Sequence, residues 1–296
     1  MLVFLNGQFV PEARAVVPVN DRGFLYGDGL FETMRVCGGR PFRLAQHLER
    51  LMRGADFLKI KCPFTPEELE DYAGQLIKQN QMPEAVLRVT LTRGPGERGY
   101  TPPIDSRPTV VMTLHAAPGA RASGTARSDP LLSQAVPEAG APIQWRLVTS
   151  SCRIPADDPL SSFKTANKLV HIMARMEAVE KGADEALLVN TNGEAAETAS
   201  GNLFWICDGQ ICTVPAGRGV LPGITRAVVL EICRTLGLPT SERFIKPGTL
   251  RNSGGIFITQ SALGIVPVTT LDGKPVAPSP LVEQISRAYG EVLAMP

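Results

Sequence analysis

The chain has almost no net charge: 30 Lys+Arg stand against 29 Asp+Glu, leaving +1 over 296 residues. Without an excess of one sign, nothing draws the whole molecule to nucleic acid or to an anionic membrane, although a single local anion site remains compatible. No apolar run reaches the roughly 18 residues that a membrane helix needs, which excludes a spanning segment. The opening stretch, Met1 to Gly7, has neither a basic start nor a long apolar core, so no signal peptide is expected. Six cysteines, at 37, 62, 152, 207, 212 and 233, include no CxxC pair. That argues against a zinc ribbon or a thioredoxin motif. They read as buried, reduced thiols of a cytoplasmic protein, and no metal site is expected. Lysine is scarce as well, with 8 against 22 arginines. Chemistry that needs a reactive amine therefore has few candidates.

What is present is a globular composition. Hydrophobic content of 44% with 20% charged residues excludes disorder over most of the chain, and the length suits one large domain or two medium ones. Leu2 to Val10 reads as a hairpin turning at Asn6-Gly7. A strand is expected from Phe31 to Val36, before a Gly38-Gly39 turn. A helix is expected over 43–58, with Leu44, Leu48, Leu51 and Met52 at helical spacing. Thr65-Pro66-Glu67-Glu68 has the form of a capping box opening a second helix. Strands follow at 85–92 and 108–114. Residues 116–144 are dominated by Ala, Gly, Pro and Ser and read as an interdomain linker with a loop insertion. A second unit begins near Trp145. It is expected to hold a helix at 164–181, strands at 185–190, 202–207 and 255–259, a helix at 224–236 and a terminal helix at 280–293. Strands and helices mix without a regular βαβ period, which predicts an α+β fold.

Several segments have the makings of a site. Gly94-Pro95-Gly96-Glu97-Arg98-Gly99 matches GxGxxG, but Tyr100-Thr101-Pro102-Pro103 follows and cannot open a regular helix. The loop reads better as a turn presenting Arg93 and Arg98 to a substrate carboxylate, or as a solvated basic hairpin. Gly219 to Arg226 places glycine, a hydroxyl and free backbone N–H groups where a helix starts, a ready phosphate cradle. Taken alone, it reads first as an ordinary glycine-led helix start. Lys164 lies beside Phe163 among small residues, where desolvation would lower its pKa and free the amine. Glu197 sits among small residues just before an apolar strand, and if buried it needs a partner that carries or shares a proton. Asp21 to Thr33 packs three glycines and three acids around aromatics, which permits turns and close backbone approach. Arg50 falls between the core-facing Leu48 and Leu51, so it reaches inward only if something anionic waits there.

In this order and spacing the motifs resemble the fold-type IV pyridoxal-phosphate enzymes, also called aminotransferase class IV. The resemblance runs from about Leu5 to Val268 and is carried by DRGFLYGDGLFET at 21–33, HLERL at 47–51, the Lys164/Asn167 segment, ETASGNLF at 197–204, LPGITR at 221–226 and FITQSALGIVPV at 257–268. It implies an α+β, two-domain, D-amino-acid-aminotransferase-like fold. A smaller N-terminal α/β domain would cover 1–117, a linker with an insertion 118–144, and a larger cofactor-binding domain 145–296. It also implies a homodimer, pyridoxal 5'-phosphate as cofactor and a small amino compound as substrate. Lys164 matches the lysine that forms the internal aldimine and moves the proton, and Glu197 the acid that keeps the pyridine nitrogen protonated. Arg50, Ile224, Thr225 and Ser261 match phosphate-binding positions, and Leu221 the leucine that packs on the cofactor ring.

For the reaction, Arg93-Gly94, Arg98-Gly99-Tyr100, Ala183 to Leu187 and Leu203-Phe204-Trp205 look most like 4-amino-4-deoxychorismate lyase, which yields 4-aminobenzoate and pyruvate. Arg98 would then hold the substrate carboxylate and Tyr100 face its ring, with Phe31 also on the substrate side. Glu32 and Thr33 instead resemble aminotransferases that pass an amino group from a D- or branched-chain amino acid to a 2-oxo acid. Phe31 lacks the hydroxyl of the D-amino-acid enzymes, Lys168 fits neither group, and the tyrosine common near that position in the branched-chain enzymes is absent.

Overall fold

The computed structural model describes residues 1–118 and 143–295. The loop insertion expected at 119–142 lies outside the described residues. These divide into two compact units, 1–118 with Phe163–Asn167, and 143–162 with Lys168 onward. Among the described residues no helix is long and apolar enough to cross a membrane.

The first unit is a six-stranded sheet under helices. Its strands are β1 (Leu2–Leu5), β2 (Gln8–Pro11), β3 (Gly29–Cys37), β4 (Arg40–Pro41), β5 (Ala85–Thr92) and β6 (Thr109–Ala116). They lie in the order β2-β1-β6-β5-β3-β4, with every neighbouring pair antiparallel. The hairpin turns at Asn6 and Gly7, both with positive φ (48° and 91°), as a tight two-residue loop requires. Helix α1 (Arg22–Tyr26) is short and capped by Asp21, whose carboxylate accepts from the Gly23 N–H. Helix α2 (Leu44–Leu58) packs on β3, and α3 (Pro66–Asn80) packs on β1. The capping box of α3 forms as the sequence predicts: Glu68 N–H donates to Thr65 Oγ1, and Thr65 N–H donates to the Glu68 carboxylate. Phe4, Leu30, Met34, Leu48, Leu87 and Leu91 form the centre of the core.

One expectation needs correction here. The helix predicted over 164–181 begins only at Leu169, and residues 164–166 are non-helical, with an isolated bridge at Thr165. The reason is pairing. Phe31 N–H donates to the Lys164 carbonyl at 2.9 Å, Ala166 N–H donates to the Gly29 carbonyl at 2.9 Å, and Leu30 and Thr165 form an antiparallel bridge. Backbone groups spent on β3 cannot also close helical turns. Gly29 itself is forced to be glycine, because a Cβ there would lie 2.6 Å from the Leu91 carbonyl oxygen.

The second unit contains β7 (Trp145–Ile154), α4 (Leu169–Glu180), β8 (Glu185–Asn190), β9 (Ala195–Thr198), β10 (Asn202–Cys207) and β11 (Gln210–Thr213). There follow α5 (Ile224–Thr235), β12 (Thr240–Glu242), α6 (Pro247–Leu250), β13 (Ile256–Gln260), β14 (Gly264–Leu271), β15 (Lys274–Pro275) and α7 (Pro280–Ala294). The sheet order is β12-β11-β10-β13-β14-β7-β8-β9, and β9 also pairs with β10. Strands β10, β13, β14, β7, β8 and β9 therefore close into a ring, sealed where Asn202 pairs with Glu197. Pairs β14–β7, β7–β8 and β11–β12 are parallel, and the rest are antiparallel. Trp145, Leu187, Leu203, Trp205 and Ile258 lie in its core. Helix α4 packs on β7 and β8, α5 on β13, and α7 on β14.

Candidate active site

In the first unit the isolated bridge between Leu30 and Thr165 sets Lys164 against β3. Its Nζ stands 4.6 Å from the centroid of the Phe31 ring. The Arg88 guanidinium, reaching from β5, lies 3.8 Å from the same centroid. One aromatic ring thus carries two cations, an attraction that rises as water is excluded. Arg88 has no hydrogen-bond acceptor or carboxylate against it among the described residues. Burial holds its pKa below the ordinary guanidinium value.

Strand alternation turns Glu32, the next residue, to the other face of β3. There its carboxylate meets α2. Arg50 Nε donates to Oε1 and Arg50 Nη2 to Oε2, each at 2.7 Å, and His47 Nδ1 lies 2.7 Å from Oε2. All three residues are buried. Arg50 therefore does reach inward, and the anion it meets is Glu32. Burial pushes the Glu32 pKa up, but the hydrogen bonds and positive charge of Arg50, with the contact from His47, outweigh it and hold the carboxyl at about 2. His47 is driven the other way: burial, with the nearby charges of Arg50 and Lys164, lowers its pKa despite Glu32. The neutral ring then donates its Nδ1–H to Glu32.

The glycine-rich loop requires a second correction. Arg93 is not presented to a substrate. It is buried, with Nε and Nη2 on Asp28 at 2.7 and 3.0 Å and its remaining donors on the Lys59 and Leu58 carbonyls. Asp28 also takes Arg22 Nε at 2.9 Å, so two guanidinium groups offset its burial and lower its pKa. Arg22 Nη1 donates to the Gly99 carbonyl at 2.8 Å, and Gly99 N–H donates to the Tyr26 hydroxyl at 3.0 Å. The loop is thereby fastened to α1. Arg98 and Tyr100 remain exposed on it, with the Tyr100 ring edge-on to Tyr26 at 5.7 Å.

In the second unit Glu197 lies at the sealing pair of the ring. Its Oε2 accepts from the Leu221 N–H at 3.1 Å and faces Asn202 Nδ2 at 3.4 Å, while His171 Nε2 stands 3.5 Å from Oε1. Asn202 Nδ2 also donates to the Leu221 carbonyl at 2.9 Å. The turn that carries Leu221 is thus pinned beside the carboxylate. Two residues on, a Cβ at Gly223 would lie 1.9 Å from Asn202 Oδ1, so only glycine fits. Gly223 caps α5 without any side-chain hydrogen bond, and Ile224 and the buried Thr225 open the helix. Its first-turn N–H groups and dipole make an anion site with a hydroxyl at hand. Ser261 sits half-buried in the turn between β13 and β14. Its neighbour Gln260 donates to Ser200 Oγ, which hydrogen-bonds the buried Glu185.

Of the residues singled out from the sequence, Lys164, Phe31 and Arg50 belong to the first unit with Arg98 and Tyr100. Glu197, Leu221, Ile224, Thr225 and Ser261 belong to the second. Glu32, His47 and Asn202 lie within the quoted motifs but had no role assigned, and Arg88 and His171 were not singled out. The usable signals were a lone arginine inside the apolar run of β5 and a His and Arg three apart on the stripe of α2. Among the described residues no group of His, Cys, Asp and Glu could hold a metal ion.

Residues 29–271 match the model of the family described as amino-transferase class IV. A Methanocaldococcus jannaschii protein provisionally named a branched-chain-amino-acid aminotransferase is 34% identical over 93% of this chain and 89% of its own length. The D-alanine aminotransferase of Staphylococcus aureus strain MSSA476 is 30% identical over 97% and 96%. A solved Legionella pneumophila structure, provisionally named a 4-amino-4-deoxychorismate lyase, is similar with a TM-score of 0.81 at 25% identity, covering 95% of this chain and 97% of that one.

The Glu32 cluster generates a pH prediction. Its folded-state pKa of about 2 lies below the ordinary 4.5. The group therefore contributes stability above pH 4.5 that is lost as pH falls through 4.5 toward 2, on the order of 3 kcal/mol in full. Glu32→Gln leaves Arg50 buried without its counter-charge and should cost about 3–5 kcal/mol near neutral pH. In urea unfolding the gap between wild type and variant should narrow as the pH is lowered below about 5. A gap that stays constant with pH would show that ionised Glu32 is not what stabilises the cluster.

Proposed function

The chain belongs to amino-transferase class IV, a family of enzymes that use pyridoxal 5'-phosphate, and from that premise we propose that it moves the amino group of a small amino acid to a 2-oxo acid with Lys164 as its acid and base. The observation that carries the reading is the Lys164–Phe31–Arg88 arrangement: an amine and a guanidinium on one ring, the guanidinium without a carboxylate against it among the described residues. A half-buried guanidinium with no carboxylate against it among the described residues is suited to a substrate carboxylate. An amine on the same ring is suited to act on the adjoining carbon. The curated relatives at 30% identity or more over nearly the whole chain, named for aminotransferases, support transfer.

The residues present fit the cofactor. The start of α5, bare of side chain at Gly223, with the Ile224 and Thr225 N–H groups and the Thr225 hydroxyl, suits the phosphate, as does Ser261. Glu197 suits a protonated ring nitrogen, because its carboxylate is held in place by the Leu221 N–H and Asn202. Leu221 offers an apolar side chain for the ring face. Arg50, with two nitrogens on Glu32, is a neutralised pair, so its share in holding the phosphate is smaller than that of a lone guanidinium. When bound, the cofactor supplies the electron sink for the substrate's Cα electrons. The chain's own work is then to bind the carboxylate at Arg88, to take and return the Cα proton at Lys164 Nζ, and to keep the ring nitrogen protonated at Glu197.

A second reading, elimination of pyruvate from 4-amino-4-deoxychorismate, is favoured by Arg98-Gly99-Tyr100, Leu203-Phe204-Trp205 and the Legionella neighbour. One assay separates the two. Purified enzyme given D-alanine or L-leucine with 2-oxoglutarate should release pyruvate or 4-methyl-2-oxopentanoate, whereas 4-aminobenzoate from aminodeoxychorismate, with no transfer, would establish the lyase. Lys164→Ala should lose both turnover and the visible absorbance of bound cofactor; a band that survives would assign the role to another lysine.

Arg88→Met should raise KM for the amino acid about tenfold or more while changing kcat less, since a charge-assisted pair is lost. An unchanged KM would move the carboxylate to another group, Arg98 first.

A homodimer also belongs to this reading. Helix α4 leaves Leu169, Ile172, Met173 and Met176 at least half exposed on its surface. Such an apolar face is suited to a second copy of the chain. Light scattering should give a dimer for the wild type and a monomer for Met176→Glu at micromolar concentration; a dimer in both would place the interface elsewhere.

A further inference from the structure

Helix α4 is built to bring two polar side chains to the sheet of the second unit. Its inward residues are His171, Ala174, Arg175 and Ala178, spaced at one helical face, and both alanines are fully buried. Small side chains there let the helix lie close to β7 and β8, within reach of short polar contacts. Each of the two polar residues then meets a different carboxylate. Arg175 Nη1 lies 3.1 Å from Glu185 Oε2, and His171 Nε2 lies 3.5 Å from Glu197 Oε1. Glu185, wholly buried, also contacts Ser200, which belongs to the turn directly after Glu197. The Arg175 contact thus holds that turn from below, while the His171 contact meets Glu197 itself.

His171 has a second feature. Its Nδ1 is buried and has no hydrogen-bond partner. That orphan tells which nitrogen carries the hydrogen. A neutral ring with its proton on Nδ1 would bury an unsatisfied donor and also turn the bare Nε2 lone pair toward a carboxylate oxygen. Both are unfavourable. With the proton on Nε2, the N–H is on the side of Oε1, 3.5 Å away, and only an acceptor is left unmet. A buried unmet acceptor still costs free energy, and an apolar side chain on this otherwise small-residue face would avoid it.

We propose that His171 is a positioning residue for Glu197, its Nε2 set 3.5 Å from Oε1 on the helix side so that the carboxylate keeps one orientation toward the ring nitrogen of the cofactor. This rests on the reading of Glu197 given above. The two carboxylate oxygens are held differently. Oε2 is set by the Leu221 N–H and the Asn202 amide, both fixed by the closed ring of strands. Oε1 has only His171 from the helix side among the contacts described. Without that contact the carboxylate can rotate about its last bond, and its negative charge is less shared.

The test compares His171→Leu, which removes the donor, with His171→Gln, whose amide N–H can replace Nε2–H. Full-length protein is titrated with pyridoxal 5'-phosphate, and affinity and the visible absorbance spectrum are read, with thermal unfolding of the cofactor-free proteins alongside. The Leu variant should bind the cofactor about tenfold or more weakly with a displaced visible band, and the Gln variant should return to within a few fold of wild type. The cofactor-free unfolding temperatures should differ little. A Leu variant with wild-type affinity and spectrum overturns the proposal, as does an equal loss in the Leu and Gln variants. If wild type itself fails to bind the cofactor, or Lys164→Ala keeps the visible band, the reading of the site fails instead.

Discussion

Much of the second unit hangs on Asn202. Its backbone seals the ring of strands against Glu197, and its amide donates to the Leu221 carbonyl. Its oxygen occupies the space that a side chain at Gly223 would need. A single residue therefore sets the distance between a carboxylate, a turn and a helix start. The sheet must close for that to happen, because β9 is only four residues long and gains its rigidity from pairing on both edges. The placement of the Glu197 carboxylate and of the start of α5 at Ile224 and Thr225 both follow from one hydrogen-bonded closure.

The first unit solves a different problem, that of charge without water. Glu32, His47 and Arg50 are buried together, and such a cluster is tolerable only when every charge has a partner with good geometry. Arg50 supplies the bidentate contact and His47 the third donor. Phe31 and Glu32 are adjacent on β3 but face opposite ways. The strand therefore carries a fully compensated ion cluster on one side and an aromatic ring bearing two cations on the other. Compensation on the first face fixes the strand, and on the second the Arg88 guanidinium has no carboxylate against it among the described residues.

Local signals in the sequence translated well. The Asn6-Gly7 hairpin, the Thr65 capping box and the inward stripe of α2 depend on neighbours a few residues away, and each forms. The failures are non-local. Residues 164–166 look helical by pattern, yet they are captured by β3 from more than a hundred residues away. Strands β7 and β14 are hard to see because a register shift interrupts the first and Pro267 sits in the second. Helix α4 is the most instructive case. Its large apolar residues are exposed and its inward face is His, Ala, Arg and Ala, so hydrophobic periodicity points the wrong way. In the site, Arg50 was legible as an inward arginine, but its partner Glu32 reads as an ordinary outward residue of a strand. Arg93 invited the opposite error, because nothing local shows that Asp28 and two carbonyls have already taken its donors.

Under the proposed reading, the residues assigned to the cofactor would serve transfer and elimination alike, so the choice between them falls to groups that face the substrate. Two guanidinium groups compete for its carboxylate. Arg98 is exposed, where water and salt screen an ion pair to a small net value. Arg88 is half-buried against Phe31, with its charge already partly stripped of water. The same carboxylate gains more there, because the effective dielectric is lower and the desolvation of the arginine has been met in folding. Lys164 shares that ring, so a substrate anchored at Arg88 carries its neighbouring carbon toward the amine. Under the proposed reading, this couples the strongest binding contact to the reacting atom. A small amino acid, whose carboxylate and reacting carbon are one bond apart, fits that coupling best.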